Sequence, residues 1–294
     1  MSENKSTQMQ NIQWFPGHMT KTKRQIQASL KLVDAVTEII DARIPVSSRN
    51  PDLDSIIQQK PRVVLMNKCD MANPVATQKW ISYFKDKGIT ALPVDCKTGK
   101  GLKKFVPAVS AVLKEKTEKL KSKGMVNPTI RVMIVGIPNV GKSSFINRMA
   151  GNSKAKTADK PGVTRGNQWF TISKNFEVLD TPGVLWPKFE DQVVGERLAF
   201  TGAVKDQVMD TELLAVRLLD FLKVEKNPLF VERFKLTGEN IEEMESYELL
   251  SFIGKKRGML ISGGEVDTER AAIMLLDEYR SAKLGKYTFE LPEA

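Results

Sequence analysis

Histidine and cysteine are close to absent from this chain. One histidine, His18, and two cysteines, Cys69 and Cys96, occur in 294 residues. Two cysteines cannot build a disulfide framework, so a reducing, cytoplasmic setting is expected. The C-terminal third offers no Cys/His metal cluster and no nucleophile–base pair, which argues against a metal-dependent or covalent RNA-modifying activity there. No apolar run approaches the roughly 20 residues of a membrane-spanning helix, so no membrane partner is expected. The residues from Met1 to Gln8 have neither an apolar core nor an Arg-rich amphipathic pattern, and no targeting peptide is expected. Sequence repeats and low-complexity tracts are lacking too.

Acidic residues are scarce in the first part of the chain. Residues 1–125 hold 22 Lys and Arg against 11 Asp and Glu, whereas the remainder is about neutral at 23 against 24. A basic half points to a polyanionic partner, most simply RNA, with a solubilising surface as the plain alternative. Residues 205–294 are net acidic, 13 basic against 18 acidic, so this part is no general cationic clamp. Its cations cluster at Lys255-Lys256-Arg257 and at Arg280, Lys283 and Lys286, where they are placed either to grip phosphates or to solvate helix ends.

Apolar periodicity predicts a loose segment over 1–18, ending in the turn Trp14-Phe15-Pro16-Gly17-His18, then a helix from Met19 to Val33. Strands are expected at 35–40, 63–66, 89–94, 130–135, 168–172 and 176–180, with helices near 52–59, 75–87 and 101–121 between them. Such alternation predicts an α/β fold with a mostly parallel sheet covered by helices on both faces. Beyond Trp186-Pro187 only helices are expected, at 212–222, 228–234, 247–256 and 268–283. The division is therefore a sheet domain over 1–188 and an all-α domain over 189–294.

Chemistry enters with Gly136-Ile137-Pro138-Asn139-Val140-Gly141-Lys142-Ser143-Ser144, which follows an apolar strand and opens a helix. That is the setting of a phosphate-binding loop: glycines let the backbone wrap the phosphates, and the helix N-terminus adds positive potential. Lys142 is placed to reach the β- and γ-phosphates and Ser143 to ligate Mg²⁺. Asn67-Lys68-Cys69-Asp70 follows another strand, and a carboxylate at Asp70 matches the paired N–H donors of guanine, which adenine lacks. Lys68 is placed to lay its stem over the purine. Asp95-Cys96, after the next strand, is expected to give a backbone contact to the base. Asp180-Thr181-Pro182-Gly183 reads as a switch motif, with Asp180 in the Mg²⁺ shell and Gly183 sensing the γ-phosphate; Thr164 reads as a further Mg²⁺ ligand and catalytic sensor. Because the base-reading motif precedes the phosphate loop, the expected fold is a circularly permuted P-loop GTPase domain.

Through Trp14–Met19, Asn67–Asp70, Gly136–Ser144, Pro161–Arg165 and Asp180–Gly183, the chain resembles the ribosome biogenesis GTPase A family over nearly its whole length. The resemblance implies a bacterial GTPase acting late in maturation of the large ribosomal subunit. It implies contact with the precursor particle and its rRNA, low activity alone and stimulation by that particle. It also implies K⁺ held with the help of Asn139. A monomer is expected. Where many GTPases carry a water-orienting glutamine after Asp-x-x-Gly, this chain has Val184, so His18 is the candidate group for that task. Switch II runs through Val184–Lys188 straight into the helical domain, a route by which γ-phosphate loss is expected to reorient it. Two other classes stay open: a GTP- or alarmone-sensing interaction module, and a GTP-dependent RNA-modification or translation factor.

Overall fold

The computed structural model describes residues 24, 26–57, 60–151, 168–181, 183, 191–204 and 210–293. The Trp14–Met19 turn with His18, the Pro161–Arg165 segment with Thr164, Pro182, and residues 184–188 lie outside the described residues. The chain divides into two compact units. One contains the sheet; the other, over described residues 191–285, is helical.

Six strands form one sheet: β1 (Ala35–Asp41), β2 (Arg62–Asn67), β3 (Thr90–Pro93), β4 (Ile130–Val135), β5 (Gln168–Ser173) and β6 (Phe176–Asp180). Their order is β3-β2-β1-β4-β6-β5. Every neighbouring pair is parallel except β5 and β6, an antiparallel hairpin at one edge. From β1 the chain steps outward to β2 and β3; from β4 it steps outward the other way. The strand order therefore reverses between β1 and β4, which pair with Thr37 opposite Ile134. In open α/β sheets the crevice beyond the carboxyl ends at such a reversal is the ligand site. The loops after β1 and β4 flank that crevice.

The strands are apolar because both faces are covered. Ile40, Val64 and Met66 pack under Trp80 and Phe84 of helix α2 (Pro74–Asp86) on one face. On that same face, further across the sheet, Val36, Met133, Val135 and Leu179 meet Ile26, Val33, Leu53 and Ile56, the last two from α1 (Leu53–Ile57). On the opposite face the Phe176 ring meets Phe105 at 5.7 Å, with Phe145 4.9 Å from Phe105. Glu38 lies in the middle of β1 at 1% exposure and is held there by Arg49 at 3.0 Å and Arg62 at 3.5 Å. A buried carboxylate persists only when paired in this way.

Two expectations are corrected here. The helix expected over 101–121 is a 3-10 turn (Leu102–Lys104), then α3 (Phe105–Val112) and α4 (Lys114–Ser122), interrupted at Leu113. The Leu113 carbonyl takes both the Thr117 N–H and the Thr117 hydroxyl, each at 2.9 Å, and such side-chain back-bonding bends a helix. The helical domain, expected to reach residue 294, ends at Gly285; the chain from Lys286 on belongs to the sheet unit. The reason is long-range bonding: the Glu290 carboxylate accepts from the backbone N–H groups of Val46 at 2.5 Å and Ser47 at 3.0 Å.

After α5 (Lys142–Met149) in the sheet unit, the helical unit contains α6 (Gln192–Phe200), α7 (Thr211–Glu225), α8 (Pro228–Arg233), α9 (Ser246–Lys256) and α10 (Thr268–Arg280). Helix α6 was not anticipated, although Asp191 marks its start by accepting from Val193 N–H. Two cations thought available for phosphate are occupied internally. Arg280 donates to the carbonyls of Phe200 and Ala199, which close α6. Arg257 and Arg233 both bond the Glu278 carboxylate.

The hydrogen bond from Arg233 lowers the Glu278 carboxyl below its ordinary 4.5; burial opposes this and Arg257 adds to it. A depressed carboxylate contributes stability above its unfolded value, and that contribution fades as pH falls through the folded value. Glu278→Gln is therefore expected to melt at lower temperature than the parent at pH 7. In thermal melts across pH, that gap should close as pH drops below 4.5.

Candidate functional site

The loop joining β4 to α5 turns tightly enough to aim the N-terminus of α5 into the crevice. Gly141 sits at the cap with φ of 103°, and a Cβ on it would lie 2.3 Å from Asn67 Nδ2. Lys142, buried in the first turn of α5, donates through Nζ to the carbonyls of Gly136 at 3.0 Å and Ile137 at 2.7 Å. Burial pushes its ammonium down to about 8, with the Asp180 carboxylate opposing. Ser143 and Ser144 follow it, half-buried. Asn139 takes the left-handed conformation at φ of 60°, a strain of about 1–3 kcal/mol that such loops carry at functional positions.

Asn67 closes β2 at 4% exposure, and both ends of its amide are engaged. Nδ2 donates to the Val140 carbonyl at 2.6 Å, and Oδ1 accepts from Cys96 N–H at 2.9 Å. One side chain thus ties the base-reading loop to the phosphate loop and to the loop after β3. Arg148 of α5 adds a further tie by donating to the Thr98 carbonyl.

Lys68 follows in the left-handed region at φ of 58°, with Nζ 3.0 Å from Asp41 Oδ2. Asp41 also accepts from Arg43 through Nε at 3.0 Å and Nη2 at 2.7 Å. Burial alone would raise the Asp41 carboxyl, but Arg43 and Lys68 outweigh it and hold the acid ionised far below the usual carboxylate range. Lys68 is thereby fixed at the mouth of the motif. Among the described residues no hydrogen bond or ion pair engages the Asp70 carboxylate, which is half-buried. Asp41 and Arg43 belong to none of the motifs read from the sequence. Two opposite charges directly after the buried run Ile39-Ile40 were the available signal.

The Asp95 side chain is taken up within its own turn. Its Oδ1 accepts from Lys97 N–H at 2.8 Å and Thr98 N–H at 3.2 Å, and the Thr98 hydroxyl donates to Oδ2. Burial raises this carboxyl, but those Thr98 and Lys97 bonds hold it below its ordinary value. Its side chain shapes its own turn. Burial pushes the thiols of Cys69 and Cys96 up, and both are free, so neither is an activated thiolate.

On the other side of the phosphate loop, Asp180 ends β6 at 2% exposure and Thr181 donates its hydroxyl to the Ile134 carbonyl at 2.7 Å. A Cβ on Gly183 would fall 2.8 Å from Lys142 Nζ and 3.0 Å from Pro138 N. The Asp-x-x-Gly motif therefore lies directly against the phosphate loop. The structure brings Asn67, Lys68, Cys96, Val140, Gly141, Lys142, Asp180 and Gly183 to one crevice; His18 and Thr164 lie outside the described residues.

Strand order, loop and motif placement define a circularly permuted P-loop GTPase. A family model described as a 50S ribosome-binding GTPase matches residues 131–246. The chain is 49% identical over 282 residues to a Bacillus cereus protein named ribosome biogenesis GTPase A, covering 96% of this chain and 94% of that one. A Priestia megaterium protein of the same name is also 49% identical, covering 96% and 97%. The solved structure of GNP-bound YlqF from T. maritima superposes with a TM-score of 0.62 at 28% identity, covering 93% of this chain and 99% of that one. The chain belongs to the ribosome biogenesis GTPase A family, and it is a GTP-hydrolysing enzyme.

The Gly141 geometry yields a paired test. Gly141→Ala forces Asn67 aside and breaks its bonds, so GDP affinity should fall roughly a hundredfold or more, given about 1–3 kcal/mol for each buried group left unpaired. Gly151 has φ of 70° but open space around its Cβ position, so Gly151→Ala should bind GDP as the parent does. Titration of both variants with a fluorescent GDP analogue checks the contrast.

Proposed function

We propose that this GTPase is an assembly factor for the large ribosomal subunit, acting late in maturation and hydrolysing GTP slowly until the particle stimulates it. The observation that carries this reading is the near-full-length similarity to proteins named ribosome biogenesis GTPase A, supported by the 50S ribosome-binding description of the matched family model. The cationic surplus of residues 1–125 supports rRNA as the surface contacted. In the helical unit, Arg257 and Arg280 are committed internally and Lys256 lies 3.8 Å from Glu239, which leaves Lys255 and Lys283 as the candidates there, with Lys286 in the sheet unit.

Within the site, the proposed roles follow from placement. Asp70 reads the guanine N–H groups, Lys68 covers the purine, and the Cys96 region contacts the base through backbone held by Asn67. Backbone N–H groups of residues 139–144 and the Lys142 ammonium hold the phosphates. Ser143, Thr164 and Asp180 are hard oxygen donors that suit Mg²⁺, Asp180 through water. Among the described residues no cluster of three or more His, Cys, Asp or Glu forms a protein metal cage. Mg²⁺ at a nucleotide needs none, since phosphates and waters complete its shell and the ion supplies charge neutralisation. Asn139 is placed to help hold K⁺ against the phosphates. His18 is proposed to position the attacking water, in the absence of a glutamine at Val184. The low activity proposed for the free protein reflects that incomplete set of groups.

GTP turnover measured with and without purified large subunits, in K⁺ and in Na⁺, tests the assignment. Large-subunit stimulation of roughly tenfold or more, within what completion of a GTPase site from outside supplies, is expected in K⁺ only. His18→Ala should bind GTP normally yet lose the stimulated rate. Equal rates with and without subunits would refute the ribosomal role.

A further inference from the structure

The chain from Lys286 on carries no nucleotide motif, yet it bonds closely around the base side of the site. The Thr288 hydroxyl accepts from Asn73 N–H at 3.1 Å and donates to the Ala42 carbonyl at 3.3 Å. Phe289 N–H donates to the Arg43 carbonyl at 2.9 Å. The Glu290 carboxylate, 5% exposed, takes the N–H groups of Val46 and Ser47 and the Ser47 hydroxyl. Its backbone carbonyl accepts from Trp80 Nε1 of α2 at 2.8 Å.

These bonds fall on two stretches far apart in sequence. One is residues 42–48, beginning beside Asp41, whose own N–H is taken by Ser48 Oγ at 2.9 Å. The other is the start of α2, where Asn73 is the N-cap shortly after Asp70. Asp41 holds Lys68, so the segment pins the backbone behind the carboxylate that sets Lys68 and the backbone that follows Asp70. A single hydroxyl, Thr288 Oγ1, joins the two.

We propose that residues 288–290 form a clamp that positions the guanine-reading loop, with Thr288 and Glu290 as positioning residues that set affinity for the base and not for the phosphates. The proposal rests on Asn67–Asp70 being the base-reading motif. A merely structural strap would, when loosened, weaken every ligand of the unit alike. A positioning clamp weakens guanine nucleotides selectively.

The test compares Thr288→Val, Glu290→Gln and a chain ending at Lys286 with the parent, using a fluorescent GDP analogue and inorganic tripolyphosphate as probes. Asp70→Ala serves as the control on the base-reading motif. GDP affinity should fall about fivefold in each point variant and more in the shortened chain, within the coupling expected inside one hydrogen-bond network. Tripolyphosphate affinity should stay within about twofold, since the loop over 136–141 is untouched. Unchanged GDP affinity in the strap variants, with Asp70→Ala weakened, overturns the clamp alone. Equal loss for GDP and tripolyphosphate also overturns it, in favour of a structural strap. Unchanged GDP affinity in Asp70→Ala removes the base-reading assignment on which the clamp rests. Should the shortened chain fail to fold, the isosteric Thr288→Val variant decides.

Discussion

One carboxamide holds the site together. Asn67 sits at the end of β2 with its nitrogen on the phosphate loop and its oxygen on the loop after β3. Both groups are buried, so each would cost about 1–3 kcal/mol if left unpaired. The three loops therefore have one joint low-energy arrangement rather than three independent ones. Close packing reinforces this: the approach of Asn67 to Gly141 excludes any side chain at that position.

Permutation leaves this joint intact because it depends on the sheet and not on chain order. β1 and β4 are neighbours across the strand reversal, and the loops that bind nucleotide emerge from the same ends of parallel strands. What permutation changes is which segments are left to continue the chain. The switch motif after β6 now leads on toward the helical unit, and the chain beyond that unit comes back as the segment from Lys286 to the base side. Glu290, Phe289 and Thr288 bond the loop beside Asp41, the acid that anchors Lys68. The loop beside the Lys68 anchor is thus bonded by residues from the far end of the sequence.

Much of this was legible in the sequence. The strands, the phosphate loop and the permuted order are local patterns of apolar runs, glycines and lysine, and such patterns survive reading one segment at a time. The break at Leu113 was not legible, since neither glycine nor proline marks it; the Thr117 hydroxyl adds a second bond to the Leu113 carbonyl. The Asp95 carboxylate closing its own turn was not legible either, since that depends on the loop's local geometry. Arg257 and Arg280 resembled free cations because their partners, Glu278 and the end of α6, are distant or unperiodic in sequence. The returning C-terminal segment has no periodicity at all; its bonds span more than 200 residues, which no local pattern records. Long-range polar contacts are where sequence reading ended.

The central claim is that Asn67 makes base recognition and phosphate binding one unit. Its most direct test is Asn67→Ala, assayed for GDP and tripolyphosphate affinity together with amide exchange at Cys96. Loss of affinity for both ligands, with faster exchange at Cys96, is the predicted result. Loss of GDP affinity with tripolyphosphate binding unchanged would contradict it, and would show that the two loops are held independently.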